Sequence, residues 1–173
     1  MVQTTWWFKV QPNPGKFTWT YDFQLNYLKK YKMPLLGQLF TTPYWAAATP
    51  QPKPKKAGYN KCWAPNLKLL DKYVFETVSR YKDYIKYWEI WNEPAVNLFW
   101  KGSPEEFGQM VQVAVKAAKR ADPNCVVMSA GYTCPAWVWH EKAAKAGAFK
   151  NLDAISFHYG CHMGPITESY AKL

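Results

Sequence analysis

The sequence predicts an α/β fold, a parallel sheet whose strands are joined by helical crossovers. Two observations carry the prediction. Short runs of β-branched and aromatic residues alternate with longer amphipathic runs in the order β-α-β-α-β-α-β-α-β, the pattern of a parallel sheet covered by helices. The clearest strand is Tyr84-Ile85-Lys86-Tyr87-Trp88-Glu89-Ile90-Trp91-Asn92-Glu93-Pro94. Its apolar and aromatic residues favour strands, and Pro94 cannot continue a ladder, so the strand should stop near Asn92 or Glu93. A carboxylate is thereby left at a strand's C-terminal end, the end of a parallel α/β barrel where loops converge and ligands bind.

Taken in order, Thr5-Trp6-Trp7-Phe8-Lys9-Val10 reads as a strand ended by the turn from Pro12 to Gly15. Asp22 opens a helix running to Lys32, with Phe23, Leu25, Tyr27 and Leu28 near one face. Met33 to Phe40 is the next strand, apolar on both sides as a covered strand should be. The stretch 41–66 holds Pro43, Pro50, Pro52, Pro54 and Pro65 and reads as a long loop. Leu67 to Lys82 is an amphipathic helix through Leu67, Leu70, Tyr73, Val74 and Val78. Ser103-Pro104-Glu105-Glu106 starts a helix that runs to Ala121, with proline in the first turn and acids against the helix dipole. Asp122-Pro123-Asn124 stops it. Cys125 to Ala130 is a strand, Pro135 to Ala146 a helix and Leu152 to His158 the last strand.

At 173 residues and 49% apolar content, one domain with a sizeable core is expected. No apolar span approaches ~20 residues and Met1-Val2-Gln3-Thr4-Thr5 is no leader, so neither a membrane helix nor a signal peptide is visible. A secreted protein would carry its leader upstream of this stretch. The net charge of +10 raises nucleic acid as a partner. The cations are nearly all lysine, with arginine only at Arg80 and Arg120, and are scattered as solvated faces are; nucleic-acid binding is set aside. Aromatics at 18%, with 10 tryptophans, are more telling, because flat ring faces suit the C–H faces of pyranose rings. The 4 cysteines lack metal-ligand spacing, and no metal is expected.

Three stretches carry a family resemblance. Trp88-Glu89-Ile90-Trp91-Asn92-Glu93-Pro94 resembles the fourth-strand signature of glycoside hydrolase clan A, whose (β/α)8 barrels place the acid/base Glu after an Asn. Val10-Gln11-Pro12-Asn13-Pro14-Gly15-Lys16-Phe17-Thr18-Trp19 resembles the stretch after the second strand in families such as glycoside hydrolase family 39. Leu152-Asp153-Ala154-Ile155-Ser156-Phe157-His158-Tyr159 resembles their sixth strand. The resemblance implies a partial TIM (β/α)8 barrel, one domain over residues 1–173 holding strands two to six, with strands one, seven and eight absent. Open edges of that kind invite self-association.

The activity implied, for a full-length enzyme of which this chain is an incomplete part, is retaining hydrolysis of O-glycosidic bonds in an oligosaccharide or polysaccharide, with no cofactor. Glu93 would protonate the leaving oxygen and then activate water. Asn92 resembles the residue that binds the sugar 2-hydroxyl. His158 and Tyr159 end the sixth strand, where the family often places a His or Tyr against substrate or nucleophile; which of the two points inward is open. Trp45 and Trp63 are either sugar platforms on a cleft wall or indoles packed under a mobile insertion. Trp100, after the Glu93 loop, is a candidate platform, and Trp137 and Trp139 are candidates or packing residues. Glu89 and Trp91 share parity with Glu93, and Glu89 is read as a buried, paired structural carboxylate. Cys134 and Cys161 would top adjacent strands, where a disulfide and two free thiols both fit. The clan's nucleophile stands on strand seven, beyond Leu173. Glu168, in Pro165-Ile166-Thr167-Glu168, follows the sixth strand too closely for a helical crossover and reads better as a helix start. The alternative function is a non-catalytic carbohydrate-binding half-barrel or inactive remnant.

Overall fold

β1 (Leu36–Leu39), β2 (Tyr87–Ile90) and β3 (Val126–Met128) pair in parallel in that order. The computed structural model describes residues 5–54, 62–132 and 136–158. α3 (Leu67–Tyr81) joins β1 to β2, α4 (Pro104–Ala121) joins β2 to β3, and α5 (Trp137–Lys145) follows β3. Parallel neighbours require such crossovers, and α3 packs on α4 as α4 packs on α5. The register sets Gly37 beside Trp88 and Trp88 beside Val127 on one face. Gln38 stands beside Glu89 on the other.

The helices begin where local chemistry says they should. At α4 the Ser103 hydroxyl accepts the Glu106 N–H at 3.1 Å, while the Glu106 carboxylate accepts the Ser103 N–H at 2.7 Å. This capping box satisfies two orphan donors. Ser103→Ala is expected to lower stability by about 1 kcal/mol, read as a shift in the urea midpoint at unchanged slope. Asn66 caps α3 with its side chain alone, Oδ1 accepting from the Lys68 and Leu69 N–H groups.

α2 (Asp22–Lys30) is held less firmly, burying only Leu25 while Phe23 and Tyr27 stay exposed. Its anchor is Asp22, paired with the Arg80 guanidinium and accepting the Tyr81 hydroxyl at 2.8 Å. The guanidinium holds the Asp22 carboxyl below its usual range, so the anchor is fully present above the unfolded carboxylate value and is lost as pH falls through the lower folded one. Hydrogen exchange at the Leu25 amide is therefore expected to speed up, relative to α4, as pH drops below ~3.9.

Two expected strands differ. Thr5 to Val10 is not a strand: α1 (Trp7–Val10) is a single helical turn. Thr5 has a φ of 68°, which no strand accommodates. The Trp7 indole donates to Gln11 Oε1 one turn on, at 2.8 Å, and lies flat on Tyr73 with centroids 4.6 Å apart. The segment still borders β1, since Trp7 N–H donates to the Phe40 carbonyl and the Thr5 hydroxyl to the Gln38 carbonyl. The second difference is 152–158, which follows β3 in parallel through isolated bridges, Met128 with Ala154 and Tyr132 with Phe157, rather than as a continuous ladder. Backbone bonds run between them, Ser129 N–H to the Ala154 carbonyl and Tyr132 N–H to the Ser156 carbonyl among them, and side chains add to these: Asp153 accepts the Val127 N–H and Ser129 Oγ accepts the Ser156 N–H. The sheet among the described residues therefore has 3 strands. No helix among them is long and apolar enough to cross a membrane.

Candidate active site

β2 ends at Ile90, and the chain leaves it by a strained path. Trp91 and Glu93 have φ of 74° and 41°, left-handed values that cost a side-chain-bearing residue about 1–3 kcal/mol and gather at functional sites. Backbone bonds hold the path in place: Trp91 N–H donates to the Leu39 carbonyl at 2.9 Å and Glu93 N–H to the Gly131 carbonyl at 3.0 Å. Glu93 is thereby fixed at the C-terminal end of the sheet, between the exits of β2 and β3.

Glu93 Oε1 lies 2.8 Å from His158 Nδ1, with the two side chains 23% and 31% exposed. One carboxylate oxygen is held by the imidazole, and the other has no hydrogen-bond partner among the described residues. The ring reaches Glu93 by crossing β3 over Gly131, where a Cβ would meet His158 Nε2 at 2.2 Å. Glycine is needed for that clearance. Asn92 is bridged to Gly131 through the backbone and is half-buried beside Glu93.

The remaining residues divide. Glu89 is wholly buried, with Gln38 Nε2 donating to one oxygen at 2.9 Å and Ser156 Oγ to the other at 2.7 Å. Trp91 breaks the expected alternation at its positive φ; its indole donates to the Phe99 carbonyl and its ring is buried edge-on against Phe40 and Trp100. Trp100 is corrected from a platform to a packing residue: it is 3% exposed, its N–H donates to the Ser103 carbonyl, and its ring meets Trp91 and Phe107 edge-on.

Trp45 is half-buried, donates to the Pro12 carbonyl at 3.2 Å and meets Trp7 edge-on. Trp63, also half-buried, stands on the return leg of the same loop, which the bridge from Ala47 to Pro65 closes. That leg is tied to the loop carrying Glu93, because Lys101 N–H donates to the Cys62 carbonyl at 2.8 Å. Trp139 packs on Phe107, and Trp137 lines a surface cavity of about 480 Å³ with Pro104, Val138 and Lys142. Tyr159, Glu168, Cys134 and Cys161 lie outside the described residues. Among the described residues no cluster of His, Cys, Asp and Glu is arranged to hold a metal.

Sequence reading missed Gly131, Ser156, Ser129 and Gln38. The only signal was the small run Ser129-Ala130-Gly131 at the end of β3, which lets side chains pass over it.

No protein-family model and no curated protein matches the chain. Solved structures do. A family 39 glycoside hydrolase from the gut symbiont Bacteroides cellulosilyticus WH2 matches with a TM-score of 0.63 at 19% identity, over 88% of this chain and 31% of that one. A monomeric β-xylosidase from Caulobacter crescentus CB15 gives 0.66 at 22% identity, over 87% and 32%. Xylanase B from Clostridium stercorarium F9 gives 0.62 at 21%, over 97% and 57%. The chain thus spans about a third of the first two proteins and just over half of the third. Its fold is part of a TIM barrel, with parallel strands and helical crossovers, as in those glycosidases.

Proposed function

We propose that the chain carries the acid/base half of a retaining glycoside hydrolase site, with Glu93 as the general acid that protonates the leaving oxygen and the general base that then activates water. The observation that carries this reading is the seat of Glu93: a half-buried carboxylate at the C-terminal end of a parallel strand, with one oxygen held by His158 and the other without a partner among the described residues. A general acid must be positioned before its proton is of use. Asn92, adjacent and half-buried, would bind the sugar 2-hydroxyl, a contact that strengthens as the transition state forms. Trp63 would offer a ring face to a neighbouring sugar, its loop being tied to the one that carries Glu93; Trp45 would do so from the outgoing leg. His158 would hold Glu93, and Tyr159 would stand next to it in sequence. The xylosidase and xylanase named among the similar structures make xylosides the first substrates to try.

Retention needs a second carboxylate roughly 5 Å from the acid/base. Glu89 does not supply it, because it is buried with both oxygens engaged. That observation favours a second reading, a non-catalytic carbohydrate-binding half-barrel, with self-association through the barrel edges as a route to a completed site. The test is hydrolysis of aryl xylosides and xylo-oligosaccharides by the chain and by Glu93→Gln. Xylo-oligosaccharide turnover lost in the variant supports the first reading; xylo-oligosaccharide turnover that survives the variant removes it. Saccharide binding without turnover supports the second. Oligonucleotide binding that weakens steeply with salt would instead point to a phosphate partner.

A further inference from the structure

Below Glu93 the same strand carries a carboxylate that the proposed chemistry does not use. Glu89 is 0% exposed, and each oxygen takes one neutral donor, Gln38 Nε2 from β1 and Ser156 Oγ from the 152–158 segment. The network extends outward: the Trp6 indole donates to Gln38 Oε1 at 3.0 Å and the Ser156 N–H to Ser129 Oγ at 3.0 Å. A carboxylate is costly to desolvate, and one held by neutral donors is a poor choice for stability alone. A satisfied buried polar network does, however, fix the relative placement of the elements it joins.

Its location shows what is placed. Glu89 precedes Glu93 along β2 and its exit, and Ser156 precedes His158 along 152–158. The Glu89 to Ser156 bond and the Glu93 to His158 contact are therefore a lower and an upper link between the same two segments. β3 lies between those segments and is crossed where its residues are small, Ser129, Ala130 and Gly131. Backbone hydrogen bonds tie 152–158 to β3 and its exit, among them His158 N–H to the Tyr132 carbonyl at 2.9 Å, but among the described residues the bonds that join 152–158 directly to β2 and its exit are the side-chain ones.

We infer that Glu89 and Ser156 are positioning residues: the lower link sets the height of 152–158 against β2 and so keeps His158 Nδ1 on Glu93. The inference deepens the glycosidase reading but rests on it only for the use to which the pair is put. The test is accordingly made on the hydrogen bond, without turnover. The imidazole nitrogen chemical shifts of His158 are followed in the full chain, with Glu93→Ala as the reference for a lost partner. Ser156→Ala is expected to move the His158 signals most of the way to that reference, and Ser156→Thr, which restores the hydroxyl, to return them to wild type. Glu89→Gln, with matching shape but an amide facing one of the two donors, is expected to move them as well. A purely structural network would lower the melting temperature of Ser156→Ala while leaving the His158 signals at wild type, and that result overturns the inference. Should Glu89→Gln fail to fold, the Ser156 pair decides. An inactive chain with the expected shifts would defeat the glycosidase reading and leave this one standing.

Discussion

In a site completed by the second carboxylate, Glu93→Gln is expected to lower kcat/KM for a xylo-oligosaccharide by about 10²–10⁴-fold, the usual contribution of a positioned general acid. The loss should be far smaller in the glycosylation step of a nitrophenyl xyloside. A sugar alkoxide is a poor leaving group and departs only as a proton arrives, whereas a nitrophenolate leaves unaided. The substitution is well matched to the question, because the side-chain amide keeps the shape of the carboxylate and its oxygen can still accept a hydrogen from His158 Nδ1. What is removed is the transferable proton, not the geometry.

The same variant also lacks the base that activates water in the second step. Added azide, a nucleophile that needs no base, should therefore restore turnover of the aryl substrate and yield the glycosyl azide. Equal losses on both substrates with no rescue would assign Glu93 to binding. Unchanged turnover would mean that the chemistry resides elsewhere in the molecule.

How far these residues could be read beforehand depended on how local their causes were. The start of α4 was legible because the capping box is made by Ser103 and Glu106 within one turn. The end of β2 was legible because Pro94 and the aromatic run before it act on their own backbone, and the position of Glu93 at the strand's exit follows. Thr5 to Val10 was not, because its strand-favouring residues were overruled by a distant one, Tyr73, on which Trp7 lies flat. Trp100 was placed in the correct loop, but a loop position does not say whether a ring faces outward or, as here, is buried between Trp91 and Phe107. Gly131 and Ser156 gave no sign of their part. One matters through the Cβ it lacks and the other through a reach across β3, and both depend on strand register.

Gly37→Ala is the substitution in the sheet expected to be most disruptive for its size. Gly37 does not need its glycine for backbone freedom, since its φ is not left-handed. It needs the space: a Cβ there would stand 2.4 Å from Cε3 and Cζ3 of Trp88 and 3.1 Å from Cγ2 of Ile85. Trp88 is its partner in register and is 0% exposed, with Val127 in register on its far side, so the indole has nowhere to retreat. Overpacking of this kind costs about 1–3 kcal/mol. In a chain of this size that corresponds to a fall in melting temperature of roughly 2–4 °C per kcal/mol. The cause can be isolated by shrinking the ring. Trp88→Phe orphans no hydrogen bond, because the buried Trp88 Nε1 has no partner among the described residues. That variant alone should be destabilised by its cavity. Combined with Gly37→Ala, the new methyl enters the vacated space, and the double variant should be more stable than the sum of the two changes predicts by about 0.5–3 kcal/mol. Strict additivity in urea unfolding would mean that the indole does not lie over Gly37 and that the register of β1 against β2 is wrong; since Gln38 meets Glu89 through that same register, the support beneath Glu93 would fall with it.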